Sequence, residues 1–255
     1  MSELQKFKSD PKSYHEEAPP CDVAAFRQVL QSRRSIRRFT PEIIPEEVTR
    51  DCLALALEAP SSSNMQTWEF HWVRTPELKS KIAHACLGQP AASTAAELIV
   101  CLARPKLWRR NAPLVAAQLE RDGLPTSSML LYYRRLVYIV YSVGFASLLA
   151  PFKYLLFSAI GLFRPIVRGP LGKGDLRLWA VKSAALACEN LMLAFRAHGY
   201  DSFPMEGFDK KRIRRALRLP RDAEIVMIVS AGRRAKGGVY GPKLRLDSKL
   251  FLFER

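Results

Sequence analysis

The sequence predicts an α+β fold in which helices flank a mixed central sheet, with a hydrophobic helical insertion set into it. Three patterns predict it. Apolar residues recur at helical spacing between Asp22 and Gln31 and again between Pro45 and Ala59. Two short stretches, Ala95–Ala103 and Glu224–Ala231, are almost unbroken apolar runs of the kind found in buried strands. The order of the patterns, helix, helix, strand, helix, strand and then helix and strand, interleaves the two kinds of element. At 255 residues and 48% hydrophobic, the chain can bury one large core or two smaller ones.

The elements follow in order. Residues 1–21 mix polar residues with Pro19 and Pro20 and read as a flexible N-terminal arm. Asp22 can cap the first helix, whose face carries Val23, Phe26, Val29 and Leu30. The helix runs into Ser32-Arg33-Arg34-Ser35-Ile36-Arg37-Arg38-Phe39. Taken alone, that stretch is either a solvated basic helix end or an anion site, because arginine forks and a serine hydroxyl can hold phosphate.

In the second helix Pro45 takes the first helical position and Glu46 and Glu47 suit the positive end of the dipole. Val48, Cys52, Leu55, Ala56 and Ala59 form its stripe. Pro60 stops it, and a run of small hydroxyls and amides follows to Thr67. Trp68, Phe70 and Trp72 alternate with Glu69 and His71, which predicts a strand. Thr75-Pro76-Glu77 opens another helix. Leu176–His198 is a long apolar helix closed by Gly199, and Asp209–Leu219 a short, very basic one. Residues 232–245 form a loop rich in Gly, Lys and Arg, and Lys249–Phe253 is expected as a terminal strand.

Forty basic against 24 acidic residues give a formal charge of +16, which draws the chain toward phosphorylated cofactors, nucleic acid or an acidic membrane surface without choosing among them. The basic residues from Lys210 to Arg221 have no interleaved aromatics, so no nucleic acid is expected. Cys21, Cys52, Cys86, Cys101 and Cys188 are scattered without a C-x-x-C pair. That argues for reduced core thiols over a metal site or a disulfide framework. His15, His71, His84 and His198 share no spacing that suggests a metal or a triad. The first twenty residues contain no apolar segment of the secretory kind, so a cytoplasmic location is expected. There is neither a G-x-G-x-x-G after a strand nor a P-loop.

Four separated motifs carry a resemblance. They are Arg33-Arg34-Ser35-Ile36-Arg37, the stretch from Pro60-Ser61-Ser62-Ser63-Asn64 to Gln66-Thr67-Trp68, Pro204-Met205-Glu206-Gly207-Phe208, and Gly241-Pro242-Lys243-Leu244-Arg245. In this order the chain resembles the FMN-dependent nitroreductase family, over residues 22–104 and 176–255. The resemblance implies a nitroreductase-like fold, a homodimer with FMN at the subunit interface, and hydride transfer from NADH or NADPH through the flavin to a small-molecule acceptor such as a nitroaromatic or quinone. Arg33 and Ser35 would hold the FMN phosphate with Arg34 alongside, and Lys243 and Arg245 would complete that site. Arg37 would lie near the ribityl chain and the N1/O2 edge. Ser61, Ser62, Asn64 and Gln66 would reach across to a cofactor bound mainly by the other subunit. Glu206 and Gly207 would meet the flavin near N5, chiefly through backbone N–H groups, and Gln89 would match a polar residue at the pyrimidine edge. No catalytic side chain is implied, because the hydride chemistry belongs to the cofactor.

Residues 105–175 lie outside that resemblance and form the insertion. Leu136–Phe163 carries Lys153 as its single charge and is long enough to be a transmembrane candidate. Pro151 and Lys153 divide it into runs too short to cross alone, and basic residues flank both ends. Three readings stay open: a lid over the flavin pocket, an extension of the dimer interface, or contact with a membrane surface, which would make the protein peripheral at the membrane.

Overall fold

The computed structural model describes residues 17–123, 127–143, 150–167 and 169–255. Most of the expected N-terminal arm lies outside the described residues, and residues 17–22 are exposed and irregular. Four strands make one sheet: β1 (Trp68–Val73), β2 (Glu97–Ala103), β3 (Asp201–Met205) and β4 (Glu224–Gly232), in the order β1-β2-β4-β3. Every ladder is antiparallel. The mixed character expected of the sheet is limited to an isolated parallel bridge, Ser35 to Ser202.

The two apolar runs are the two central strands, and their composition follows from position. β2 is buried along its whole length, because helices cover both faces of the sheet. Leu98, Val100 and Leu102 point to one face, where Ile82 and Ala85 of α3 (Pro76–Ala85) and Ile213 of α10 (Lys210–Ala216) close over them. Ile99 and Cys101 point to the other, against Cys188, Leu191 and Phe195 of α9 (Lys173–Ala197) and Cys52 and Ala56 of α2 (Glu46–Leu57). Helix α9 is long and apolar enough to cross a membrane by composition, and half of its apolar window is buried against the sheet as a core helix.

Helix ends follow local chemistry. Asp22 Oδ1 accepts from the N–H groups of Ala24 and Ala25 at 2.8 and 3.0 Å and starts α1 (Val23–Ser32). At the far end of α9, Gly199 has φ 83°. Its N–H reaches the Arg196 carbonyl at 3.1 Å and that of Tyr200 reaches Phe195 at 2.9 Å, a Schellman closure that a glycine makes without strain. Pro45 proves to be the N-cap of α2 rather than its first residue.

Three expectations change. The strand expected over Lys249–Phe253 is a short 3₁₀ turn, Ser248–Leu250, with Phe251, Leu252 and Phe253 exposed and no sheet edge beside it. β3 was not foreseen as a strand: Asp201, Ser202 and Pro204 are poor strand residues, yet at a sheet edge a proline removes no ladder bond. The apolar face of α1 buries none of its residues within this chain, and Val23 and Phe26 stay exposed.

Residues 105–175 contribute α5 (Trp108–Arg121), α6 (Ser127–Leu131), a π-helical turn (Tyr132–Leu136), α7 (Val137–Tyr141) and α8 (Ala150–Gly161). Trp108, Ala112, Val137, Tyr141 and Val143 pack with Met65 and Leu176 into a core of their own. The π turn and α7 therefore belong to the folded body, while α8 makes at most isolated contacts with the other described elements.

Candidate functional site

The basic stretch after α1 does not become a free helix end. Ile36 is fully buried, its N–H donates to the Ser202 carbonyl at 3.2 Å, and the strand-like segment lies along β3. This turns Arg33, Arg34, Ser35 and Arg37 outward together. The 232–245 loop closes over them. Arg37 N–H donates to the Gly238 carbonyl at 2.8 Å, and Ala235 N–H to the Arg38 carbonyl at 3.1 Å. A Cβ on Gly238 would stand 2.5 Å from the Arg38 carbonyl oxygen, so only glycine permits this approach.

The result is a cavity of about 230 Å³ lined by Arg33, Arg34, Ser35, Arg37, Lys243 and Arg245, with Tyr240 and Gly241 at its rim. No carboxylate lines it among the described residues. Burial lowers the pKa of Lys243 below the usual lysine value, and repulsion from Arg245, Arg33 and Arg34 lowers it further. A set of like charges held this close is the electrostatic signature of an anion site. The Arg37 guanidinium lies 5.2 Å from the Phe203 ring centre and 4.9 Å from that of Tyr240, which fixes it by cation–π contact at the β3 end of the cavity.

β3 leads to the next group. At its end Gly207 and Glu206 are exposed, and the Gln89 Nε2 donates to the Gly207 carbonyl at 2.7 Å. Gln89 is the N-cap of the short α4 (Pro90–Ser93), which sets its position. The structure thus brings Arg33, Arg34, Ser35, Arg37, Lys243 and Arg245 together, and joins Gln89 to Gly207 beside Glu206.

The serine segment is elsewhere in the same chain. Ser63, Asn64 and Gln66 have φ of 54°, 52° and 46°, three non-glycine residues in the left-handed region within four positions. Side chains hold that strained turn. Ser61 Oγ accepts from Gln66 N–H at 2.9 Å, and the Gln66 amide donates to Asn64 Oδ1 at 3.1 Å. The Asn111 amide of α5 donates to the Met65 carbonyl at 2.7 Å and the Gln66 carbonyl at 3.2 Å. The hydroxyls of Tyr141 and Tyr132 bond Ser62 Oγ at 2.9 Å and Ser63 Oγ at 2.5 Å. Sequence reasoning missed these supports, since an isolated Asn in a basic helix and two tyrosines in an apolar run carry no local signal. Asn64 and Gln66 line a cavity of about 690 Å³ with Trp68, Phe70 and Asn111. Ser61 and Ser62 line another of about 470 Å³ with Trp179 and Ser183. Neither cavity includes the arginine and lysine cluster.

The cysteines take no part. All five are free; Cys52, Cys86, Cys101 and Cys188 are buried, and burial pushes the Cys52 thiol up to about 12 and the Cys86 thiol to about 11. The basic residues of α10 are partly absorbed locally, Lys210 by Glu224 at 3.0 Å and Arg212 by Asp209 at 3.2 Å.

Comparison with known proteins gives a consistent result. The model of the nitroreductase family matches residues 30–233. Protein DrgA of Synechocystis sp. is 30% identical over 217 residues, which are 81% of this chain and 83% of that protein. An NADH dehydrogenase of Thermus thermophilus is 28% identical over 215 residues, 84% of this chain and 89% of that one. Among solved structures, the FMN complex of a nitroreductase-type protein from Exiguobacterium sibiricum superposes with a TM-score of 0.68 at 24% identity, covering 93% of this chain and 99% of its own, which establishes the shared fold.

Proposed function

Because the chain belongs to the nitroreductase family, and is an oxidoreductase with it, we propose that it binds FMN in the Arg33–Lys243 cavity and carries hydride from NADH or NADPH to an organic acceptor. The observation that carries this reading is the cavity lined by Arg33, Arg34, Arg37, Lys243 and Arg245, with no carboxylate among the described residues that line it. Such a cavity fits the phosphate of FMN, which offers several acceptor oxygens to charged donors. When bound, FMN supplies acceptance of hydride from the nicotinamide and its delivery to a nitroaromatic, quinone or similar acceptor.

Each residue then has a task. Arg33, Ser35, Lys243 and Arg245 hold the phosphate, and Arg34 braces the loop that carries the lysine. Arg37 supplies a fixed positive charge toward the N1/O2 edge, where charge develops on reduction. Gln89 steadies the Glu206-Gly207 segment against the ring. Ser61, Ser62, Asn64 and Gln66 face other cavities of their own chain, so we assign them to the FMN of a second copy in a homodimer. The exposed apolar face of α1 and the exposed Leu250–Phe253 tail give such a dimer surface to bury. Five free thiols accord with a reducing, cytoplasmic setting.

The test is a flavin absorption band in the purified protein, followed by NADH and NADPH oxidation with nitroaromatic and quinone acceptors. A colourless protein that cannot be reconstituted with FMN overturns the reading. A yellow protein that oxidises neither nicotinamide would be a flavin store or sensor instead.

A further inference from the structure

Helix α8 is mostly apolar; Phe157, Ser158 and Ile160 are half-buried, and much of its remaining surface is exposed. Tyr154, Leu155 and Leu156 are consecutive and all exposed, and at about 100° per residue they face three directions around the axis. Phe152 is also exposed, and the chain beyond the helix leaves Leu162 at 81% and Phe163 at 89% exposure. No described element packs against α8 beyond isolated contacts. Its 12 described residues span about 18 Å, short of the roughly 30 Å of a bilayer core.

Along the sequence the charge of this segment has one sign, although in the fold Arg134 is paired with Glu120 at 2.6 Å. Between Asp122 and Asp175 the sequence holds Arg134, Arg135, Lys153, Arg164, Arg168 and Lys173 and no acidic residue. Tyr141 and Val143 before this segment and Lys173 and Leu176 after it line one cavity of about 640 Å³ at its root. Lys106, Arg109 and Arg221 line the same cavity. Among the described residues its single carboxylate, Asp222, is held by the Arg104 guanidinium at 3.2 Å.

We propose that α8 and the chain through Val167 seat the protein on the surface of an anionic bilayer. The apolar side chains enter the headgroup–acyl boundary, and the cations at the root of this segment meet anionic headgroups. The headgroup–acyl boundary of a bilayer takes up such an exposed apolar face, and the absence of acidic residues in this stretch of sequence favours an anionic surface. The inference concerns a surface separate from the FMN cavity and stands without the cofactor.

The experiment is sedimentation of the full chain with vesicles of phosphatidylcholine alone and of phosphatidylcholine mixed with phosphatidylglycerol, at low and high salt. Size-exclusion light scattering on each variant runs in parallel. The wild type should sediment with the anionic vesicles, less at high salt. F152S/L155S/F163S, which alters only exposed positions, should lose about tenfold or more in partitioning while its oligomeric state and its melting temperature hold. R109Q/R221Q should keep the apolar component and lose preference for the anionic vesicles. Wild-type protein that stays in the supernatant overturns the proposal. So does a triple variant that partitions like wild type, or one that falls apart into smaller species, which would assign α8 to a subunit interface.

Discussion

The Arg34 guanidinium donates to the Gly241 carbonyl at 2.6 Å, joining two basic segments 207 residues apart in the chain. Arg34 therefore acts on the cavity differently from Arg33, although both line it. Arg33→Ala should remove a charge-assisted contact to the phosphate, about 1.5–3 kcal/mol or roughly ten- to a hundredfold in FMN affinity, with little change in melting temperature. Arg34→Ala should lower FMN affinity and the melting temperature of the FMN-free protein together, because the 232–245 loop loses its anchor. Flavin-fluorescence titrations and thermal melts of both variants separate the two; equal melting temperatures would contradict the division of roles.

Arg37 offers a second contrast. Its guanidinium is fixed between the rings of Phe203 and Tyr240, and no carboxylate among the described residues pairs with it. A cation at the N1 edge favours reduced flavin, which gains negative charge there. Arg37→Ala should lower the two-electron potential of bound FMN by about 30 mV or more, equivalent to about 1.4 kcal/mol. Tyr240→Ala, which keeps the charge and loses one of its two ring contacts, should shift it less. A potential unchanged in Arg37→Ala would remove Arg37 from the flavin edge.

Lys243 gives a pH dependence. Burial and then the neighbouring Arg245, Arg33 and Arg34 hold its pKa below the usual lysine value in the free cavity. A bound phosphate favours the ammonium and raises that pKa, so binding takes up a proton in the window between the two values. FMN affinity should accordingly be full below the free-cavity pKa and fall as pH rises through it, on the acid side of an ordinary lysine titration. Lys243→Arg, which stays charged, should flatten that fall. Affinity titrations across alkaline pH read the difference, and identical profiles would exclude Lys243 from the phosphate.

The central sheet was legible because burial on two faces leaves an unbroken apolar run, as in Leu98–Ala103. Edge position hid β3: its Asp201 is buried by pairing with Arg196 at 3.0 Å and Arg234 at 2.8 Å, a partnership no local pattern announces. The basic cluster was legible as motifs at both ends of the chain, and the antiparallel sheet brings those ends together. The supports of the serine turn were not, because Asn111, Tyr132 and Tyr141 act through contacts 45 to 79 residues away in sequence. The exposed tail shows the opposite failure, since strand-like composition at Phe251–Phe253 finds no edge to pair with.

Tyr141 tests whether that support matters to the site. It is 3% exposed, burial holds its phenol pKa above the usual value, and its hydroxyl meets Ser62 Oγ at 2.9 Å, the Ser62 carbonyl at 3.2 Å and Ser63 Oγ at 3.0 Å. Ser63 sits in the left-handed region, where a non-glycine residue persists only when its surroundings hold it. Tyr141→Phe keeps the ring against Trp108 and Trp179 and removes only the hydroxyl. The net loss should be about 1 kcal/mol, or roughly 2–4 °C in melting temperature for a chain of this size. If the serine turn completes the FMN site of a second copy, flavin retention should fall several-fold more than this stability loss accounts for. Adding Ser63→Gly, which accepts positive φ without strain, should restore part of the retention. A Tyr141→Phe protein that melts lower yet holds FMN as tightly as wild type would make the tyrosine a purely structural brace and detach the serine turn from the cofactor.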